Sequence, residues 1–304
     1  MGKSRQKRGQ ELTMYGKISG ETRKKSQTVF VYAGIVLFLV FALFPIIWIL
    51  LMSLKTDKDI ISSVPKIFFS PTLDNYKTLI FGIKSAGSEI SRPDFILYFK
   101  NSLIITTGAV LTSLAVGIPA AYALARFKFK LKEDIAFTFL SFRFAPEIAV
   151  IIPIFTIYKM LFLYNTYIGM ILVYQLITLP LIIWIMRGYF EDIPVEIEQA
   201  ARVDGYSWLK VFSKIALPLV KPGLASTAIL SFIFAWNNFI FGLVLGAKET
   251  FPATVGTLGF ISYESVLWGQ MAAASMITIL PEIIIAFFIQ KYLVSGLSMG
   301  AIRG

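Results

Sequence analysis

Apolar residues along this 304-residue chain do not form one-sided stripes or strict alternations. They fill whole blocks, separated by short polar segments. A hydrocarbon core of about 30 Å takes roughly 20 apolar residues in a helix. Six blocks reach that length, at 29–52, 102–124, 135–162, 167–187, 224–246 and 270–293. The third and sixth carry charges within them. Interior prolines (Pro45, Pro119, Pro146, Pro153, Pro180, Pro281) suit membrane spans, where neighbouring helices re-satisfy the freed carbonyls. The first block is too long for a cleaved secretion signal, and Lys55, Asp57 and Lys58 follow it where a small-residue cleavage site would stand. The pattern predicts an all-α integral membrane protein with six transmembrane helices. A tail at 1–28 precedes a membrane domain at 29–293, which contains a polar loop at 188–223, and a tail at 294–304 follows.

Composition agrees. The apolar fraction is 56%, the charged fraction 15% and the mean hydropathy +0.72, against about 25% charged residues in a soluble domain. There is no cysteine and no histidine. Disulfide scaffolds, thiol nucleophiles, zinc–cysteine sites and histidine acid–base catalysis are therefore excluded, and no metal site is expected. The net charge is +11, and its placement matters more than its size. Nineteen of the 29 lysines and arginines fall on the side that holds both termini: eight in the tail, four at 125–134, five from Arg187 through the 188–223 loop, and two at the end. The positive-inside rule then puts both termini in the cytoplasm. The basic tail reads as an orientation signal in contact with anionic lipid, not as a nucleic-acid arm.

The loops limit function further. The longest, 53–101 and 188–223, are too short for a catalytic domain of about 100 residues. No nucleotide-binding P-loop is present. The nearest stretch, Gly242 to Gly246 with Lys248, has the wrong spacing and no following Ser or Thr. Energy from a nucleotide would have to come from another chain. The Gly242–Gly246 spacing itself is a common helix-contact pattern in membranes.

Ionisable and amide groups inside the spans are candidates because each is costly there. Arg143 and Glu147 lie four apart on the third block and can pair on one helix face. Gln175 lies mid-way along the fourth block, Trp236, Asn237 and Asn238 mid-way along the fifth, and Glu282 follows Pro281 in the sixth. Counted along alternating directions, these groups reach a similar depth on four helices, where transporters place solute. Amides, carboxylates and an aromatic ring suit a polyhydroxylated molecule. Each residue taken singly serves equally well as helix–helix glue. Glu147 and Glu282 are the only central carboxylates, too few for a membrane-embedded enzyme, so no catalytic residue is expected.

The 188–223 loop holds a second pattern. From Pro194 to Val203 it predicts a short amphipathic helix with acidic first turns, ended by Gly205. Ala200 and Ala201 allow close approach by a partner. Trp208, Leu209, Phe212 and Ile215 add an apolar stripe at helical spacing. Such a segment can lie on a membrane surface or dock a soluble partner.

At this loop the chain resembles the binding-protein-dependent ABC importer permeases, whose cytoplasmic motif is E-A-A-x3-G-x9-I-x-L-P. Ala200, Ala201, Gly205, Ile215, Leu217 and Pro218 match its spacing. Gln199 stands where the motif begins with Glu, and Glu198 lies beside it. A salt bridge made from this position would fall to Glu198, or a neutral hydrogen bond to Gln199. Further pieces are similar to the carbohydrate, maltose-type branch and to the smaller of its two permease subunits: Ser70–Tyr76, Gly188–Pro194, Trp236–Phe239, Leu280-Pro281, Gln290–Tyr292, Gly296-Leu297 and Gly300–Gly304.

The resemblance implies a type I importer architecture, in a bacterial or archaeal cell membrane. Two permeases would form the pathway as a heterodimer, each docking a cytoplasmic ATPase of an ATPase pair through this loop, Asp204 included. An extracytoplasmic binding protein would deliver a sugar. ATP and Mg²⁺ would sit on the ATPase, with no cofactor on this chain. It further implies that Ser298–Gly304 reaches the ATPase pair, and that Phe260, Ser262 and Tyr263 touch the binding protein. A polyol or glycerol phosphate is an alternative solute. A stand-alone secondary transporter is a further alternative; it would need its own ion-coupling site, and the few ionisable groups and the docking motif argue against it.

Overall fold

The computed structural model describes residues 2–82, 94–261 and 266–300, with side chains described over 28–82, 94–261 and 266–288. Among the described residues the chain is helical, with one isolated bridge between Ile261 and Val266. By internal packing it divides into two units, Met1–Met52 and Ser53–Gly304.

The first unit is formed by α1 (Gly2–Ser53), which continues without a break from the basic tail through the first apolar block. From Val29 to Ile47 its side chains are exposed on every side. A helix apolar all round fits lipid or a neighbouring chain, not water.

The second unit begins with two short helices, α2 (Asp57–Ile60) and α3 (Asp74–Phe81). The long α4 (Phe95–Arg126) follows, then α5 (Lys132–Phe142), α6 (Glu147–Met160) and α7 (Tyr167–Glu191). The polar loop forms α8 (Val195–Val203) and α9 (Trp208–Val211), a π-helical turn (Phe212–Ala216) and α10 (Leu217–Leu219). The chain then runs through α11 (Lys221–Trp236), α12 (Ile240–Leu245), α13 (Ala253–Gly256), a 3-10 turn (Thr257–Phe260) and α14 (Trp268–Gly300). The most extensive helix pair is α4 with α7, and α11 packs on both. One apolar core joins Ile105, Met170, Tyr174, Phe241 and Leu245. A second, toward the Arg126 end of α4, joins Tyr122, Met186, Phe190 and Val220. A third, toward the Phe95 end, joins Leu79, Phe95, Phe260 and Ala273.

Four apolar blocks form uninterrupted helices long enough to cross a membrane, and two do not. The expected third span, 135–162, is broken at 143–146, and α5 and α6 meet at 94°. Pro146 lacks an amide proton and disfavours helix at Ala145 before it, so α6 starts afresh from Pro146 as its cap. The expected fifth span, 224–246, stops at Trp236. Asn237 and Asn238 are poor helix formers, and Asn238 Oδ1 accepts from Phe241 N at 3.2 Å, opening α12 instead of continuing α11. A second bend of 77° separates Trp208–Leu219 from α11. Counting each bent pair as one span gives six. A side chain at Gly242 would lie 2.5 Å from Pro252 Cγ and 3.2 Å from Val255 Cγ2, so the glycine lets α12 approach the start of the short α13 closely.

Candidate functional site

Two regions gather the residues singled out in the sequence. The first is the α8 loop. α8 ends in two hydrogen bonds, Tyr206 N to Ala201 O at 3.0 Å and Gly205 N to Arg202 O at 3.1 Å. This is the Schellman arrangement, and it needs a left-handed residue at Gly205, whose φ is +87°. The turn sets α8 at a fixed angle to the Trp208–Leu219 helix. Gln199, Ala200, Asp204 and Gly205 are exposed, and Val203 is 88% exposed. Ala201 is buried, so of the two alanines only Ala200 faces outward. Ile215, in the π turn, and Leu217 are half-buried, and Pro218 is exposed.

Glu198 does not share the outward face. It is 2% exposed and receives Arg126 Nε at 2.8 Å and the Tyr122 hydroxyl at 2.9 Å. It is therefore not available to replace the motif's Glu beside Gln199. In the sequence Arg126 shows nothing beyond its place in the inside charge. Its partner lies 72 residues away, and no periodicity signals such a pair. Arg202 stacks on Trp208, 5.0 Å from the ring centre, and tightens the turn.

The second region is a cavity of about 610 Å³, within the usual range of ligand pockets. Arg143, Glu147, Asn237 and Asn238 share it with Phe142, Phe234, Phe239 and Phe241. The breaks in the third and fifth blocks put them there. They free the residues at 143–147 and 237–239 from continuous helix and turn them to one space. The expected Arg143–Glu147 pair does not form. Arg143 lies over Phe234 at 4.2 Å and donates to Ile177 O at 3.3 Å. Glu147 accepts from Asn238 Nδ2 at 3.0 Å. Glu282 reaches the cavity's edge by accepting from Asn237 Nδ2.

Gln175 and Trp236 lie elsewhere. The Gln175 amide binds α4 through Thr112 Oγ1 at 2.8 Å, Ala109 O at 3.2 Å and the Ser113 hydroxyl. Trp236 is buried, donates to Thr278 O at 3.1 Å and stacks on Phe232. Both join helices and do not line the space. Phe260 is also buried, against Phe95, so it offers no open contact. Ser262, Tyr263 and the side chains of Ser298–Gly304 lie outside the described residues.

At the Phe95 end of α4 the loops are tied by polar contacts. Asn101 Nδ2 donates to Glu249 O at 3.0 Å and Phe251 O at 3.1 Å. Asn165 Nδ2 donates to the Glu249 carboxylate at 2.6 Å and holds that carboxyl below the usual range. Asp94, 2.8 Å from Lys248, holds the ammonium above the usual lysine range.

Residues 113–299 match the family described as "Binding-protein-dependent transport system inner membrane component". The chain belongs to this family. The match takes in α4 from Ser113 onward, the α8 loop, the cavity and nearly all of α14. The permease is 35% identical over 276 residues to the trehalose/maltose transport system permease protein MalG of Thermococcus litoralis, covering 89% of this chain and 95% of that one. It is 34% identical over 265 residues to the diacetylchitobiose uptake system permease protein DasC of Streptomyces coelicolor, covering 86% and 92%. Among solved structures it superposes on a chain of a bacterial ABC transporter that imports the acidic polysaccharide alginate. The TM-score is 0.69 with 26% identity, over 88% of this chain and 97% of that one. The permease is thus a multi-pass membrane protein with an ABC importer permease fold.

Proposed function

We propose that this permease forms half of the translocation pathway of an ATP-driven sugar importer and takes up motion from an ATPase through the α8 loop. Both termini and α8 face the cytoplasm in this reading, in a bacterial or archaeal cell membrane. A second permease completes the pathway. An ATPase pair holds ATP and Mg²⁺, and a binding protein supplies the solute from outside.

The observation that carries the reading is α8. A short helix, fixed by its Schellman turn, presents Gln199, Ala200 and the bare Val203 side chain outward. Small and apolar side chains on a rigid helix suit a protein groove. The sugar specificity rests on relatives that carry trehalose, maltose and diacetylchitobiose by name. The cavity supports it too, since amide and carboxylate groups can pair with hydroxyls and aromatic rings can pack on a sugar's apolar face.

The test is capture of the tagged chain from native membranes in mild detergent. A second multi-span chain and an ATPase are expected with it, and reconstituted vesicles should take up an oligosaccharide only with ATP. A chain that purifies alone and moves solute without ATP overturns the reading.

A further inference from the structure

α8 meets the rest of the protein through few side chains. Of its nine residues, Glu198 and Ala201 are buried, and Ala201 offers only a methyl. Glu198 therefore supplies the polar hold. Both its oxygens are engaged from the end of α4, by Arg126 at 2.8 Å and Tyr122 at 2.9 Å. Arg126 extends the grip with Nη2, which donates at 2.8 Å to Ile193 O in the lead-in to α8. Its side chain is 7% exposed. Aromatic contacts close a second route. Tyr122 packs on Phe190 and Phe212 with centroids 5.2 and 5.0 Å away. Phe127 meets Trp208 at 5.2 Å, and Trp208 carries Arg202 of α8.

A buried ion pair adds little net stability, but separating it strands a charge in a dry place. The penalty falls on motion of one partner against the other. α8 cannot roll or lift from α4 without leaving Arg126 or Glu198 unpaired. α4 in turn has its largest contact with α7, and α7 supplies Leu176 and Ile177 to the cavity wall.

We propose that the Arg126–Glu198–Tyr122 cluster is a rigid link that makes α8 and the end of α4 move as one body. A push on α8 then becomes a displacement of the α4–α7 pair and of the cavity wall. This rests on the reading of α8 as the ATPase-docking element. Arg126 and Glu198 act as positioning residues, away from both solute and nucleotide.

The experiment is solute moved per ATP hydrolysed, in vesicles containing the chain with the subunits that co-purify with it. The double variant R126L/E198L removes both charges and strands neither. R126K keeps the charge but loses the forked contact. Both are expected to capture the ATPase as the parent does. The transport ratio should fall about tenfold in the first and about threefold in the second, the scale of a coupling energy between sites. A ratio within about twofold of the parent, with capture intact, makes the cluster simple packing and overturns the link. Loss of capture in the double variant also overturns it, since the cluster would then serve docking. Failure of the parent chain to capture any ATPase rejects the docking reading itself, a separate result.

Discussion

Arg126 and Glu198 meet at 2.8 Å with both side chains buried, while Arg143 and Glu147, four residues apart, turn to different partners around an open cavity. The near pair fails because Pro146 breaks the helix between its members. The distant pair forms because α4 and the α8 loop are brought together by Tyr122, Phe190 and Phe212. Side-chain spacing predicts contact along one unbroken helix and nothing beyond it. The energetic settings differ as well. The buried pair is closed, with Tyr122 and Ile193 O completing its hydrogen bonds. The cavity pair is held by an amide, a carbonyl and a ring, all of which a solute can replace.

The sharpest way to break this comparison is Glu198→Ala. It leaves Arg126 buried without its carboxylate and should cost about 3–5 kcal/mol, read as a fall in the unfolding temperature in detergent. Gly205→Pro comes next. Proline cannot reach the φ of +87°, so the Schellman turn is lost at about 3 kcal/mol locally. Membrane insertion should persist while ATP hydrolysis and uptake come apart. Normal uptake in that variant removes the α8 loop from the mechanism. Glu147→Ala should cost less, about 1–2 kcal/mol, because it loses one hydrogen bond at a cavity surface. If it matches Glu198→Ala in unfolding temperature, the contrast between closed and open pairs is wrong.

The smallest effect sharpens the contrast with exposed charge at the Phe95 end. The Glu249 carboxyl is held low by Asn165. Its contribution is present above the ordinary carboxylate range near 4.5 and is lost as the pH falls through the lowered value. Unfolding below pH 4.5 should therefore depend slightly less on acid in Asn165→Ala than in the parent.

Much of the architecture can be read from apolar block length alone. The blocks at 29–52, 102–124, 167–187 and 270–293 all fall inside single helices. The α8 helix and its glycine stop follow from local signals, acidic first turns and Gly205. The breaks at 143–146 and 237–239 are less legible, because prolines occur inside intact helices too. Pro119 in α4 and Pro180 in α7 interrupt nothing. Of the polar residues placed at one depth, Arg143, Glu147, Asn237 and Asn238 do converge. Gln175 and Trp236 do not, since depth along a helix says nothing of the direction a side chain faces. Burial of Glu198 was hidden for the same reason: a carboxylate in a polar loop reads as exposed until α4 is packed beside it.

The π turn at Phe212–Ala216 has a consequence for how this loop can vary. A π turn accommodates one residue more than the α-helical turn it replaces. Removing one residue there converts the turn to ordinary helix while Trp208 and Pro218 keep their facing. Removing one from α9 or α11 rotates everything beyond it by about 100° and draws it in by about 1.5 Å. The loop thus carries a single position of tolerance to deletion, between the Schellman turn and the bend into α11. A scan of one-residue deletions across 206–224 should show one narrow window of retained uptake, centred on the π turn.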